Sequence, residues 1–158
     1  MKSRSSGMPM LEIIISIGIF TIISVFVLQL FLSANSLECK AKDISKAVIQ
    51  SESMAEAIKA SASVEEAIAL AGYSMSATQT LESEGQENTE YIIYLNRSWK
   101  QVKEPYYYTM TIHTTKLNSE NGVLVEADIA VLKDKAYGFI KEEDTNELCQ
   151  ITTKSFRQ

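Results

Sequence analysis

The stretch MPMLEIIISIGIFTIISVFVLQLFLSANSL, residues 8–37, decides the architecture of this chain. From Ile13 to Leu37 it contains no charged residue. Its core, from Ile13 through Phe20 to Leu32, has 20 residues. About 20 apolar residues of α-helix are needed to cross the ~30 Å of hydrocarbon in a bilayer. The sequence therefore predicts one membrane-spanning helix, bounded by Ile13 and Leu32.

The charges on either side of this stretch predict its orientation. Lys2 and Arg4 precede it, and Glu38 is the first charge that follows it. Basic residues near a membrane segment are retained on the cytoplasmic side. We therefore expect a single-pass protein of the cell membrane, with its amino terminus in the cytoplasm and the rest of the chain outside.

Glu12 lies directly before the apolar run, and no basic residue follows it within helical reach. An ionised carboxylate well inside a bilayer costs roughly 3 kcal/mol, so an acid at this depth is a candidate functional residue. The alternative is that Glu12 lies at the level of the headgroups and starts the helix. A negative charge is favourable there because it faces the positive end of the helix dipole.

The amino-terminal segment combines a short basic leader, Gly7, Met8, Glu12 and an uninterrupted apolar helix. This combination resembles the class III signal of type IV pilins and type II secretion pseudopilins, and SIGIF, residues 16–20, resembles a pattern common in minor pilins. The resemblance implies that a prepilin peptidase cuts between Gly7 and Met8 and that Met8 is N-methylated. It also implies that Glu12 is the assembly residue.

The same resemblance implies how the chain is organised and what it binds. Residues 1–7 are then the leader peptide, residues 8–36 the membrane and filament-core half of a long helix, and residues 37–158 an extracytoplasmic domain. The implied partners are the prepilin peptidase, other pilin or pseudopilin subunits, an assembly platform membrane protein and membrane lipid. In the filament, Glu12 of one subunit pairs with the N-terminal amine of a neighbour, and the domain is displayed at the cell surface.

Three residues depart from the common pattern of this family. Met8 stands in place of the usual Phe. Pro9 is unusual at its position, but it suits a first helical turn, where its missing N–H would have had no partner. Gln29 stands where major pilins often have a Pro, and this last difference favours a minor subunit.

The composition excludes several other classes of protein. The chain has 158 residues, 46% of them hydrophobic, and a net charge of −5, which predict one folded domain that does not bind nucleic acid directly. Its sequence contains no phosphate-binding loop, metal-ligand motif or catalytic signature, so we expect neither an enzyme nor a cofactor. The acidic run over 141–144 is expected to be a solvated turn, because Ca²⁺ needs six or more converging oxygens.

Beyond the membrane stretch, apolar residues recur every three or four positions. This period predicts that the helix continues to about Ala60, with a break near Asn35 as the alternative. Ser63 and Glu66 form a capping-box pattern in front of a second, short helix over residues 64–71.

The apolar period changes to two in the last part of the chain. Residues 74–90 are polar and acidic, so we expect a loop there. Alternating apolar residues then predict strands over 91–95, 106–114, 123–132, 137–140 and 148–153. Asn121 and Gly122 supply turn residues in a connection longer than a tight two-residue hairpin. We therefore expect a pilin-like α+β fold, in which the long helix packs on the apolar face of an antiparallel sheet.

Three further features have both a structural and a functional interpretation. Cys39 and Cys149 are a candidate disulfide, because the domain is expected outside the membrane, and two free thiols are the alternative. His113 is expected to be an exposed or half-buried strand residue rather than a catalytic base. The tyrosines at 106–108 and Trp99 are expected to pack against strands rather than to bind a ligand.

A second class of function stays open on the sequence alone. The apolar stretch can instead be a signal anchor, or a signal peptide cleaved after the small residues 34–36, and the chain is then a membrane-anchored or secreted binding domain. Gly7 and Glu12 have no purpose in that interpretation, and the apolar core is long for a cleaved signal. We therefore expect a structural subunit whose mature chain begins at Met8.

Overall fold

A computed structural model gives the three-dimensional structure of the chain. It describes residues 7–75, 77–83, 86–119, 122–135, 137 and 146–157. These residues form two compact units. One contains the chain up to Cys39 together with Tyr137, and the other begins at Lys40 and contains the remaining described residues.

Helix α1 spans Gly7–Ala60, 54 residues without an interruption. The alternative of a break near Asn35 is therefore excluded, and the predicted end at Ala60 is confirmed. The first half of α1 is rich in isoleucine and valine, whose β-branched side chains are only moderate helix formers. Beyond its first turn a helix nevertheless pairs the backbone N–H and C=O groups within the segment, and an apolar stretch that enters lipid requires such pairing.

Helix α2 follows over Val64–Leu70. Ser63 caps it as predicted, since its Oγ accepts a hydrogen bond of 3.1 Å from the backbone N–H of Glu66. The Glu66 side chain reaches back and accepts a hydrogen bond of 3.0 Å from the N–H of Ala62. The predicted capping box is thus present, with its reciprocal bond displaced by one residue. Gly72, with a φ of +82°, takes the left-handed conformation that commonly ends a helix.

Five strands form one antiparallel sheet in the order β1-β2-β3-β4-β5. The strands are β1 (Ala77–Ser83), β2 (Gln86–Leu95), β3 (Tyr108–Ser119), β4 (Gly122–Lys133) and β5 (Glu147–Arg157). Each strand pairs with the strand before it in the sequence, which is the simplest way for consecutive alternating segments to form a sheet. The predicted antiparallel meander is confirmed.

The prediction of a loop over residues 74–90 is wrong, because β1 and the first half of β2 occupy most of it. Ser83 pairs with Gln86, which leaves two residues between the strands, and the ladder continues to Ala77 opposite Ile92. The sequence of this hairpin has few large apolar residues and therefore lacks the usual signal for strands. Its ladder is made of backbone hydrogen bonds, which do not require apolar side chains.

The boundaries of β3 also differ from the prediction. The strand begins at Tyr108 rather than Tyr106, and it extends to Ser119. Ser119 pairs with Gly122, so the connection between β3 and β4 has two residues and is shorter than predicted. The alternating pattern ends before the strand does, because pairing with β4 carries the backbone ladder to the turn.

Two other predictions concern the end of the chain. The last strand, β5, is confirmed and is longer than the predicted 148–153. The predicted strand over 137–140 lies outside the described residues except for Tyr137, which is in no strand. The acidic run over 141–144 also lies outside the described residues.

The core of the second unit lies between one face of the sheet and the two helices. Buried residues of α1 recur mostly every three or four positions, with some neighbours between them: Ala47, Ser51, Met54, Ala55, Ala57 and Ile58. Alternate residues of β3 and β4 are buried as predicted: Tyr108, Met110, Ile112, Val125, Ala127, Ile129 and Val131. The spacing of three or four positions puts the buried residues of α1 on one side of the helix, and the alternation of two puts those of β3 and β4 on one face of the sheet. The buried side of the helix lies against the buried face of the sheet. The predicted α+β layout is therefore confirmed.

The buried side of α1 makes a testable prediction. Ile58 is fully buried, whereas Ile49 on the same helix is 59% exposed. We expect Ile58→Ala to lower the free energy of unfolding by about 2–5 kcal/mol, because it removes buried methyl groups and leaves a cavity. The matched control Ile49→Ala should change it by less than about 0.5 kcal/mol. Denaturation followed by circular dichroism measures both, and equal losses would contradict the assignment of the buried side.

Candidate functional site

The amino-terminal half of α1 exposes apolar side chains all around its circumference. The large hydrophobic side chains between Met10 and Phe31 are 51–71% exposed. The predicted membrane stretch from Ile13 through Phe20 to Leu32 lies in this part of α1, which is long and apolar enough to cross a membrane. A helix that is apolar on every side requires an apolar environment, supplied by lipid or by other helices.

Two hydroxyl groups within this stretch are satisfied by the helix itself. The hydroxyl of Thr21 donates a hydrogen bond of 2.8 Å to the carbonyl of Ile17. The hydroxyl of Ser24 donates one of the same length to the carbonyl of Phe20. Because each hydroxyl bonds the backbone four residues earlier, neither one requires a polar partner from outside. The stretch can therefore enter an apolar environment without an unpaired hydroxyl donor at these positions.

The predicted processing and assembly residues lie at the start of α1. Gly7 and Met8 are its first two residues, and Glu12 follows in the second turn. Glu12 is exposed and directly precedes Ile13. The next basic residue along the chain is Lys40, far beyond the three or four positions across which helical side chains meet. A cation that neutralises Glu12 must therefore come from residues before Gly7 or from another molecule.

The candidate disulfide between Cys39 and Cys149 is not formed, and both thiols are free. The Cys149 Sγ lies 3.3 Å from the Oγ of Ser51, so β5 meets α1 at that residue. Ser51 is twelve positions after Cys39 in the same helix, a rise of about 18 Å. A disulfide needs Cα atoms within about 7 Å of each other, so the bridge is incompatible with this contact. The alternative of two free thiols is the one observed.

A partly buried ion pair joins α1 to the sheet. The Nζ of Lys133 lies 3.0 Å from the Oδ2 of Asp43, and the two side chains are 7% and 18% exposed. The same Nζ lies 5.4 Å from the centre of the Tyr107 ring. Burial, together with a hydrogen bond to the Asp43 carboxylate, raises the pKa of Tyr108 above its usual range. These four side chains close the core at the end of the sheet where β3 begins and β4 ends.

Sequence reasoning missed this ion pair, although its signal was present. Asp43 precedes Ala47 by one helical turn on the buried side of α1, and Lys133 follows Val131 by two positions on the buried face of β4. Opposite charges on two surfaces that are predicted to pack together indicate a pair, because an unpaired buried charge is costly. The tertiary structure alone decides that these two side chains come within reach.

The aromatic residues between β2 and β3 pack against strand residues. The ring of Trp99 stacks on Tyr108, with centroids 4.3 Å apart and planes at 18°. Tyr106 stacks on Tyr94 with centroids 4.7 Å apart. Trp99 is buried and has a φ of 61°, a left-handed conformation that is uncommon for a residue with a side chain. Packing therefore accounts for this cluster as predicted.

His113 is 58% exposed, and its Nε2 lies 3.5 Å from the Oε1 of Glu90 on the neighbouring strand. The prediction of an exposed strand residue is confirmed. Within the described ranges, no three histidine, cysteine, aspartate or glutamate side chains converge as a metal ion would require.

A second polar contact joins α2 to the sheet. The hydroxyl of Tyr91 donates a hydrogen bond of 2.5 Å to the Oε1 of Glu65. This bond is the main reason that the pKa of the Glu65 carboxyl lies below its ordinary value of 4.5, and partial burial opposes it. Because the pKa is lower in the folded state, the ionised carboxylate contributes stability above the unfolded pKa. That contribution is lost as the pH falls through the folded pKa.

This contact predicts a change in acid stability. We expect Tyr91→Phe to lower the free energy of unfolding by about 1 kcal/mol at neutral pH, since it removes one partly exposed hydrogen bond to a charged group. The variant should also lose less stability than the wild type between about pH 5 and the folded pKa. Urea denaturation across this range measures both effects. Tyr106→Phe, at a more exposed ring, is the control, and an unchanged acid dependence in Tyr91→Phe would contradict the prediction.

No protein-family model, curated protein or solved structure matches this chain. Its function is therefore argued from its own residues and their geometry. Two features that the core of the second unit does not explain are the exposed apolar half of α1 and the carboxylate of Glu12 at its start.

Proposed function

We propose that this protein is a structural subunit, a minor pilin or pseudopilin, of a type IV pilus or a type II secretion-like filament. A prepilin peptidase removes residues 1–7, and the chain that begins at Met8 is held in the cell membrane until it is assembled. The observation that carries the proposal is the position of Glu12, an exposed carboxylate at the head of a helix that is apolar on every side.

Cleavage after Gly7 gives Glu12 a chemical partner. It creates a free α-ammonium group on Met8, at the boundary of the apolar stretch. A carboxylate and an ammonium group each pay a desolvation cost in a medium of low dielectric constant, and pairing recovers much of it. When Glu12 of one subunit pairs with Met8 of its neighbour, the pair also fixes how far one helix is displaced along the other.

The exposed apolar surface suits a helix that moves from a membrane into a filament. Lipid chains are as apolar as leucine side chains, so the hydrophobic effect alone does not favour one surrounding over the other. The hydroxyls of Thr21 and Ser24 are bonded within the helix and need no fixed partner in either place. Close packing of helices and the charge pair then hold the subunits together in the filament. An assembly platform protein in the membrane extracts the helix from the lipid.

The competing proposal is a membrane-anchored or secreted binding domain with an ordinary signal sequence. It accounts for the apolar stretch, because an anchor needs the same length and composition. It gives no role to Gly7, and it leaves the carboxylate of Glu12 without a reason to lie at the start of the apolar helix. The two proposals differ in where the mature chain begins.

The first test is therefore the mass of the amino-terminal peptide. We expect the protein from membranes of cells that contain a prepilin peptidase to begin at Met8, with or without one added methyl group. In cells without the peptidase, the chain should keep Met1. Mass spectrometry of the purified protein measures both. A chain that begins at Met1, or near Leu37, whether or not the peptidase is present, would exclude the pilin proposal.

The second test separates assembly from processing. We expect Glu12→Gln to be cleaved normally but to enter filaments about tenfold less or worse, because the amide cannot neutralise the neighbouring ammonium group. Glu52→Gln, at another exposed glutamate of α1, is the matched control and should enter filaments normally. Immunoblots of sheared filaments and of membranes give the two fractions. Normal incorporation of Glu12→Gln would refute the assembly role of this residue.

A further inference from the structure

We propose that the exposed side of α1 between Lys42 and Glu56 is a contact surface for a second copy of this chain. In this contact the two helices are parallel, and one is displaced along the other by ten residues. The inference rests on the proposed function, because copies inserted in one membrane have the same orientation. It goes beyond that function by assigning a second contact between neighbouring subunits, and its register, to the part of α1 that follows the apolar stretch.

Two pairs of opposite charge lie on the exposed side of α1. Lys42 and Lys46 are exposed and four positions apart, and they form the basic patch. Glu52 and Glu56 are exposed and also four positions apart, and they form the acidic patch. Each glutamate follows one of the lysines by ten positions, which is a rise of about 15 Å. The two patches therefore have equal length and opposite charge, and one continuous helix holds them at a fixed distance.

The two patches point in different directions, and both point away from the core. Successive residues of an α-helix are about 100° apart, so ten positions place the patches about 80° apart around α1. Ala47, Met54 and Ile58 are buried on the other side of the helix. Ile49, between the patches, is 59% exposed. A neighbouring helix can therefore approach either patch without displacing the sheet.

The other exposed charges of α1 in this region favour a displacement of ten residues. Glu38 lies one turn before the basic patch, and Lys59 lies three positions after the acidic patch. At this displacement, both lysines of the basic patch oppose glutamates, while Glu38 and Lys59 oppose the uncharged Val48 and Ile49 of the neighbour. Helices without displacement place like charges together. Among these six charges, every other displacement gives at most one attractive pair.

A second copy supplies the complement of both patches. The basic patch of one copy meets the acidic patch of the next, whose own basic patch stays open to a further copy. A head-to-tail contact of this kind does not close into a parallel dimer, and its repetition with a constant rotation builds a helical array. An antiparallel pair of helices would also match the charges, but the common orientation of copies from one membrane excludes it.

Each ion pair of this kind is weak by itself, because both charges stay accessible to water. Lys42 also interacts within its own chain, and its three N–H donors allow a further carboxylate to bind. Loss of a single charge, as in Glu52→Gln, is therefore expected to change filament entry little. Reversal of a whole patch has a larger effect, since it converts two attractive pairs into two repulsive ones at every contact.

The test reverses each patch in the full chain, in cells that lack the wild-type copy. Lys42→Glu with Lys46→Glu makes both patches acidic, and Glu52→Lys with Glu56→Lys makes both basic. We expect either double variant alone to enter filaments about tenfold less than the wild type, because like charges face each other at each contact. Produced together, the two variants should enter filaments at nearly the wild-type level, since each is the complement of the other.

Immunoblots of sheared filaments and of membranes measure the two fractions. Lys100→Glu with Lys103→Glu, at two exposed lysines outside α1, is the matched control and should enter filaments normally. Recovery in the mixture would also show that both patch variants fold.

Three results would overturn the inference. Normal entry by each double variant alone would remove the contact and leave the proposed function intact. Poor entry that the mixture does not restore would show that a second copy does not face these patches, again without affecting the proposed function. A wild-type chain that never enters filaments would overturn both proposals.

Discussion

One continuous helix has to be compatible with two different surroundings, and the rest of the structure depends on this constraint. From Ile13 to Leu37, α1 has no charge and exposes apolar side chains on all sides. From Lys40 onward, the same helix has a buried stripe and a charged outer surface, and it packs on a five-stranded sheet. Backbone hydrogen bonds continue through both halves because a helix satisfies them locally, whatever surrounds it.

The polar contacts of the second unit mark where its two helices are fastened to the sheet. Asp43 pairs with Lys133 at one end, and Glu65 accepts a hydrogen bond from Tyr91 where α2 packs. Apolar packing is tolerant of small displacements, whereas a buried charge without its partner is costly. The ion pair therefore adds a polar contact between α1 and the sheet beside the apolar stripe.

The elements that were predictable are those whose signal is local. The period of the apolar residues indicated the end of α1 and the buried faces of β3 and β4, and Ser63 with Glu66 indicated the start of α2. The hairpin of β1 and β2 was missed because its strands are held by backbone pairing and carry little apolar pattern. The sequence left open whether Cys39 and Cys149 are bridged, because it does not say which helical turn Cys149 meets, and it meets Ser51.

The sequence by itself determined that the chain has an uncharged helix long enough for a bilayer, with Gly7, Met8 and Glu12 at its start. These properties depend only on which residues are neighbours along the chain. The tertiary structure alone decided that Lys133 binds Asp43, that the two cysteines stay apart, and that Arg97 lies over the ring of Tyr107. Such relations depend on the register between helix and sheet, which is set by the packing of side chains that are distant in the sequence.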